Sequence, residues 1–224
     1  MGIEPILRQL QQFKEVGKSM FVSSSFQTYS IALLHIISRF DRSIPVYFIN
    51  TGYHFPETIV HKNNVASLFG LKVLDIGPSV SKHLQRDDQG NLLFTFDPDY
   101  CCYLNKVQPV ERLLEEYDVW INGVRSAQSF QRAMLSEIDS TGSKAVRYHP
   151  LLSWSNSDIE SYIAKHKLPK HPLDHKGYKS IGCEPCTRPD TDGLRQGRWF
   201  GMRKEECGLN TELVKTQNSS SVKV

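Results

Sequence analysis

Apolar residues recur at helical spacing near the start of the chain. Ile3, Ile6, Leu7, Leu10 and Phe13 share a face, which predicts an amphipathic helix over 3–16. The pattern then changes. "MFVSSS" (20–25) reads as a short strand breaking into a polar turn, and "TYSIALLHIISRF" (28–40) is apolar at helix length. "PVYFIN" (45–50) is a second buried strand. Pro56 and Gly70 bracket another helix, proline near its start and glycine just past its end. "LKVLDIG" (71–77) is a third strand, and "CCYLNKVQPVERLLEEY" (101–117) predicts a helix broken or kinked at Pro109. "VWING" (119–123) is a fourth strand. A helix is expected over 129–138, and "RYHPLL" (147–152) holds a candidate fifth strand.

Strands alternating with helices over the first 150 residues predict an α/β fold, a parallel sheet with helices on both faces. Ligands in such sheets sit beyond the carboxyl ends of the strands, so the turns at 23–28, 50–54 and 122–126 fall on the expected binding rim. After Trp154 the character changes. "NSDIESYIAKH" (156–166) is one more helix, with Ser155 or Ser157 as its N-cap. Pro169, Pro172, Pro185 and Pro189 then mark a loop-rich segment that needs an internal staple. The reading is one domain over 1–210, with a C-terminal segment at about 167–210, and a polar tail at 211–224 that composition predicts to be disordered.

Composition narrows the function classes. The chain has 224 residues, 39% hydrophobic and 23% charged, enough for a core that is stable without covalent staples. The formal net charge of +3 favours small anions but falls well short of a nucleic-acid-binding stripe. The segment "MGIEPILRQLQQFKEV" carries Glu4 early and lacks a continuous apolar run, so it is not expected to act as a signal peptide. No run approaches the roughly 20 apolar residues of a membrane span. A reducing, cytoplasmic setting is the expectation, and cysteines there read as metal ligands or redox groups rather than disulfides.

There are five cysteines. Cys101–Cys102 and Cys183-Glu-Pro-Cys186 form two pairs, and Cys207 stands alone in "RKEECGLNTEL". The paired four suit a zinc site or an iron–sulfur centre, and composition alone puts zinc first. Adjacent cysteines argue the other way, because neighbouring side chains reach separate corners of a cluster more easily than one tetrahedral ion. A third alternative is that Cys101 and Cys102 are simply buried apolar residues. "FVSSSFQTYS" (21–30) follows a strand and opens a helix, a turn whose backbone N–H groups can hold phosphate; an ordinary capped helix is the plainer alternative. His54 is expected to be a solvent-facing turn histidine. For Cys207, Glu205 and Glu206 would raise the thiol pKa, with Arg203 and Lys204 partly offsetting them; the local sequence leaves it poorly activated.

"YCCYLNKVQPVERLL", "GYKSIGCEPCTRP", "RQGRWFG" and "EECGLN" closely resemble the adenylyl-sulfate (APS) reductases of sulfate assimilation, iron–sulfur-containing type. These stand with the phosphoadenylyl-sulfate (PAPS) reductases in one adenine-nucleotide-binding superfamily, related to the pyrophosphate-loop proteins and of the adenine nucleotide alpha hydrolase-like fold. The resemblance runs from about residue 20 to 210. It implies a [4Fe–4S] cluster held by Cys101, Cys102, Cys183 and Cys186, reversing the zinc preference. It implies nucleotide contacts from Ser23, Ser24, Ser25, Asn50 and Thr51, the last two on ribose or adenine. An anion clamp of Lys106, Arg125, Arg195 and Arg198 would hold the sulfate, since arginine forks fit such groups best. Lys106 lies one helical turn beyond Cys102, on the cluster side.

The implied reaction is the reduction of APS to sulfite and AMP, within sulfate assimilation and cysteine biosynthesis. Cys207 would attack the sulfur, and thioredoxin or a similar dithiol protein would release sulfite from the S-sulfocysteine. Thiolate character would come from docking the tail into the clamp. No nucleic-acid or membrane partner is expected; a homo-oligomer is allowed. Two departures stand out. Gln27 occupies the place of a glycine in the "SSSFG" form of many PAPS reductases, which questions close backbone approach there. Asn210 replaces the histidine of the usual E-C-G-[LI]-H tail, and asparagine can hydrogen-bond but cannot titrate. PAPS is the alternative substrate. An ATP pyrophosphatase of the same fold and a non-catalytic, zinc-stapled nucleotide-binding module are the readings from other classes.

Overall fold

The computed structural model describes residues 2–190, 197–202, 204 and 206–211. The expected tail at 211–224 therefore lies, beyond Thr211, outside the described residues. Six strands form one sheet: β1 (Met20–Ser23), β2 (Val46–Ile49), β3 (Val73–Ile76), β4 (Val119–Asn122), β5 (Ile138–Ser140) and β6 (Val146–Tyr148). Their order is β3-β2-β1-β4-β6-β5, with every pairing parallel except β5 on β6. The direction of winding reverses between β1 and β4, so the crevice at their carboxyl ends is the natural ligand site.

Strand alternation divides the core in two. Met20, Val22, Val46, Phe48, Val119, Ile121 and Tyr148 face one side, packing with α1 (Glu4–Glu15), α2 (Thr28–Phe40), α3 (Pro56–Phe69) and α8 (Asn156–Lys165). Phe21, Tyr47, Leu74, Ile76 and Trp120 face the other, against Val107, Val110, Leu113 and Leu114. The expected helices on both faces are present. The middle of the chain supplies three short helices and one longer: α4 (Leu93–Phe96), α5 (Pro98–Cys102), α6 (Gln108–Glu116) and α7 (Phe130–Ala133). Ser155 is the N-cap of α8, its Oγ accepting from the Asp158 N–H while Asp158 accepts from the Ser155 N–H.

Three expectations are corrected. The helix expected over 101–117 is divided before Pro109, not at it. Between α5 and α6, Tyr103–Val107 form a π-type turn in which the Gln108 N–H reaches back to the Tyr103 carbonyl. Pro109 has no N–H for the carbonyl four residues earlier, and the wider turn accommodates its ring. The helix expected over 129–138 is a single turn, α7 (Phe130–Ala133); the chain leaves the helix there and enters the antiparallel strand β5 at Ile138. The fifth strand of the sequence reading is β6, ending at Tyr148 rather than running to residue 152.

Candidate active site

Cys183 and Cys186 sit on a tight knuckle. The Cys186 N–H donates to the Cys183 carbonyl, and Thr187 Oγ donates to that same carbonyl at 2.7 Å while accepting from the Gly182 N–H. The knuckle is fixed to the turn after β2: the Glu184 N–H donates to the Tyr53 carbonyl at 2.7 Å, and His54 bridges Cys183 through the backbone. From the opposite wall, α5 presents Cys101 and Cys102, both buried. All four cysteines line one cavity with Thr51, Tyr53, Phe94, Asn105 and Lys106.

The cavity walls carry polar partners for sulfur. Thr51 Oγ lies 3.3 Å from Cys183 Sγ. Asn105, in the π-type turn, points its amide nitrogen at the Cys101 carbonyl (2.9 Å) with Cys101 Sγ at 3.6 Å. Its amide is locked by a reciprocal pair of bonds with the buried Gln85. Burial, then the neighbouring cysteines, push the Cys101 thiol up to about 12; burial, then Cys183, push Cys186 up to about 11. Loading a metal or cluster would displace those protons, so the affinity of this set depends on pH. No three His, Cys, Asp or Glu side chains among the described residues converge as ligands of a single ion.

Cys207 lies close to Cys102 and Lys106, both of which line this cavity. It precedes a short turn, Gly208–Asn210, packed on the π-type turn. Burial alone would raise its pKa, but Lys106, the Leu209 backbone N–H and Arg198 outweigh burial, and the net shift is downward. Lys106 is itself flanked by Cys102, Cys183 and Cys207; burial would lower its pKa, and these sulfurs raise it well above the ordinary lysine value. Arg198 donates to the Cys186 carbonyl at 3.3 Å and lies over the Trp199 ring. A side chain at Gly182 would collide with the Arg198 guanidinium, the nearest atom 2.5 Å away, so glycine there makes room for the cation.

Of the sequence-nominated residues, the fold thus gathers Cys101, Cys102, Cys183, Cys186, Cys207, Lys106, Arg198 and Thr51. Thr51 turns its hydroxyl to Cys183. Asn50 is held structurally: its amide donates to Asp75 and its carbonyl oxygen accepts from the Gly52 N–H. Arg125 does not join Lys106 and Arg198. It is buried at the end of β4, donating to Asn156 at 2.9 Å and lying over the Tyr29 ring. Arg195 lies outside the described residues. His54 is not solvent-facing: its Nε2 is 2.9 Å from the Ile49 carbonyl, its ring packs on Phe48, and burial holds its pKa down at about 4.

The serine turn lies on the rim at the switch point. Ser23 accepts from the Trp120 indole N–H, Ser24 accepts from the Phe26 N–H, and Ser25 is exposed and accepts from the Gln27 amide. The position that takes glycine-like geometry is Phe26 (φ 55°), not Gln27, which is extended at the N-cap of α2. The Gln27 side-chain Oε1 accepts from the Ile181 N–H at 2.9 Å and so joins this turn to the segment that leads into the cysteine knuckle.

Sequence reasoning missed Arg132 and Arg147. Arg132 on α7 holds Glu206, the carboxylate that was expected only to oppose a thiolate at Cys207. Arg147 on β6 donates to the Leu209 carbonyl at 3.0 Å and to Asn210 Oδ1 at 2.6 Å. A charged residue inside a short apolar strand was the one available signal for Arg147; nothing local marks Arg132.

Residues 19–189 match the family described as the phosphoadenosine phosphosulfate reductase domain. An adenosine 5'-phosphosulfate reductase of Chelativorans sp. is 38% identical over 203 residues, 90% of this chain and 82% of that one. A phosphoadenosine 5'-phosphosulfate reductase of Gloeobacter violaceus is 36% identical, covering 87% of this chain and 83% of the relative. Among solved structures, the phosphoadenylyl-sulfate reductase of Candida auris, in a phosphate complex, superimposes with a TM-score of 0.67 at 24% identity over 81% of this chain and 90% of that one, a likeness of fold.

Proposed function

Since the chain belongs to the phosphoadenosine phosphosulfate reductase domain family, we propose that it reduces adenosine 5'-phosphosulfate to sulfite and AMP, as an oxidoreductase acting on a sulfur group. The observation that carries this reading is the placement of Cys207 beside Arg198 and Lys106, the last of which lines the four-cysteine cavity.

The chemistry follows from those groups. A nucleotide seated at the β1/β4 crevice would extend its sulfate towards Lys106 and Arg198, whose charges favour both the sulfate and the Cys207 thiolate. The thiolate attacks the sulfur; the bond from sulfur to the phosphate oxygen breaks, and AMP departs with that electron pair. The enzyme is left as an S-sulfocysteine. A thiolate of thioredoxin or a similar dithiol protein then attacks Cys207 Sγ, and sulfite leaves with the bonding electrons. The donor's second thiol resolves the mixed disulfide and regenerates Cys207. Two electrons pass from the dithiol to the sulfur.

Cys101, Cys102, Cys183 and Cys186 suit a [4Fe–4S] cluster: four thiols, with no carboxylate or imidazole lining the cavity among the described residues, spread around a space rather than crowded on a point. When bound, it would supply charge and position beside Lys106 rather than electrons. Iron and sulfide analysis separates it from zinc. No helix among the described residues is long and apolar enough to cross a membrane, and five free cysteines suit a reducing, cytoplasmic setting.

The test is sulfur-labelled APS. Label should appear on Cys207, and Cys207→Ser should abolish sulfite formation; an intact protein that takes up no label would refute the mechanism. The second reading, PAPS as substrate, draws support from the Gloeobacter relative. Turnover measured with both nucleotides decides, and a tenfold preference for PAPS would reverse the assignment.

A further inference from the structure

The segment carrying Cys207 is tied down on both sides of the thiol. Ahead of it, Glu206 is almost wholly buried, and its carboxylate accepts from Arg132 through both oxygens, Nε to Oε2 at 2.9 Å and Nη2 to Oε1 at 2.8 Å. Ser129 Oγ donates to Oε2 at 2.7 Å and the Cys207 N–H to Oε1 at 2.8 Å. Earlier still, Lys204 pairs with Asp99 on α5. Beyond the thiol, Arg147 grips Leu209 and Asn210. The grip at Glu206 has the form that makes charge pairs strong, a bidentate fork with the remaining lone pairs satisfied.

We propose that Arg132 and Glu206 form a latch that sets how long Cys207 stays docked, and that opening it delivers the sulfur to the second reactant. Arg132 and Ser129 belong to the body of the protein and touch no reacting atom; they are positioning residues that act through Glu206. The Cys207 N–H bond to the Glu206 carboxylate ties the latch directly to the reacting residue. Docked, the thiol is half-buried beside Lys106, where it serves attack on a bound nucleotide. A protein dithiol needs an open line to the same sulfur. Removing one partner of a buried pair leaves the other charge uncompensated, so either substitution should shift the balance strongly towards the open form. The role in delivery rests on the reaction proposed above; the latch itself does not.

The test separates the two. Nucleotide-free protein is treated with a bulky maleimide at pH 9, where a released thiol of ordinary pKa is mostly ionised. Cys207 labelling should accelerate at least tenfold in Glu206→Gln and Arg132→Ala. Arg132→Lys, which keeps the charge but loses the fork, should fall between these and the parent. The double exchange Glu206→Arg with Arg132→Glu should return labelling towards the slow rate. In the reaction itself, latch variants should slow the AMP burst while leaving release of sulfite from preformed S-sulfocysteine as fast or faster. Unchanged labelling in folded Glu206→Gln and Arg132→Lys would overturn the latch. If labelling responds but APS yields no AMP with the parent enzyme, the reaction fails and the latch stands. If labelling responds and both half-reactions slow equally, the delivery role is refuted.

Discussion

Gly208 presses against Cys102. A Cβ built on Gly208 would lie 3.4 Å from Cys102 Cβ and 3.2 Å from Val107 Cγ2. The residue after the tail cysteine is therefore a fitted surface, and the tail docks by placing bare backbone on the helix that bears the cysteine pair. Gly208→Ala should weaken docking by about 1–3 kcal/mol, the usual range for overpacking. The measurement is the Cys207 labelling rate together with thermal stability: labelling should quicken while the melting temperature barely moves. Unaltered labelling would mean that the neighbours yield without effect.

Thr187 closes the knuckle by donating to the Cys183 carbonyl and accepting from the Gly182 N–H. Thr187→Val keeps the shape and removes both bonds; the Cys183 carbonyl keeps only the Cys186 N–H and the Gly182 N–H loses its acceptor, at a cost of about 1–3 kcal/mol. The expected result is faster loss of iron to a chelator from loaded protein. Thr187→Ser should hold iron nearly as well as the parent.

Asn210 gives Arg147 its acceptor. Asn210→Leu should strand one end of that buried guanidinium and raise the KM for the dithiol less than it slows attack on the nucleotide, because docking is what suffers. Asn210→His, restoring the usual tail, places an imidazole beside Arg147, where protonation is disfavoured. Turnover near neutral pH should therefore not acquire a new titration step. A fresh inflection between pH 6 and 8 in Asn210→His would contradict this.

His171 is buried and locked as a neutral ring. Its Nδ1 accepts from the Leu173 N–H, and its Nε2 pairs with Thr58 Oγ. Burial first, and His61 next, hold its pKa down at about 4. The unfolded chain takes up this proton near pH 6.5 and the folded protein does not, so stability is unaffected above that pH and falls as pH drops from about 6.5 towards 4. Between pH 7 and 5 the loss is about 1–2 kcal/mol from this residue. Denaturant titrations at the two pH values should show it, and His171→Asn should shrink the difference by that amount. An equal difference in the variant would refute the assignment.

The first four strands, the long helices and the cysteine pairs were legible in the sequence because each has a local cause: apolar runs bounded by turns, a proline and a glycine at the ends of α3, a capping serine at α8. What escaped depends on partners far along the chain. β5 exists because it finds β6. The π-type turn resolves a conflict between Pro109 and the helix behind it, and a helical pattern does not reveal where such a conflict is absorbed. Arg125 carried the right residue type on the right rim, yet Tyr29 and Asn156 claim it. Arg132 and Arg147 gain meaning only when the segment 206–210 returns to the sheet, some 60 to 75 residues later in the chain.

Phe26 adopts a left-handed backbone while its ring is wholly buried against Phe48. Holding a side-chain-bearing residue there costs about 1–2 kcal/mol, whereas losing a buried aromatic ring costs about 3–5 kcal/mol. Glycine would relax the main chain and forfeit the ring; any other residue keeps the tension and fits worse. The locus is a local optimum with no improving single step, and random mutagenesis of this loop should yield heat-labile proteins far more readily than hardened ones.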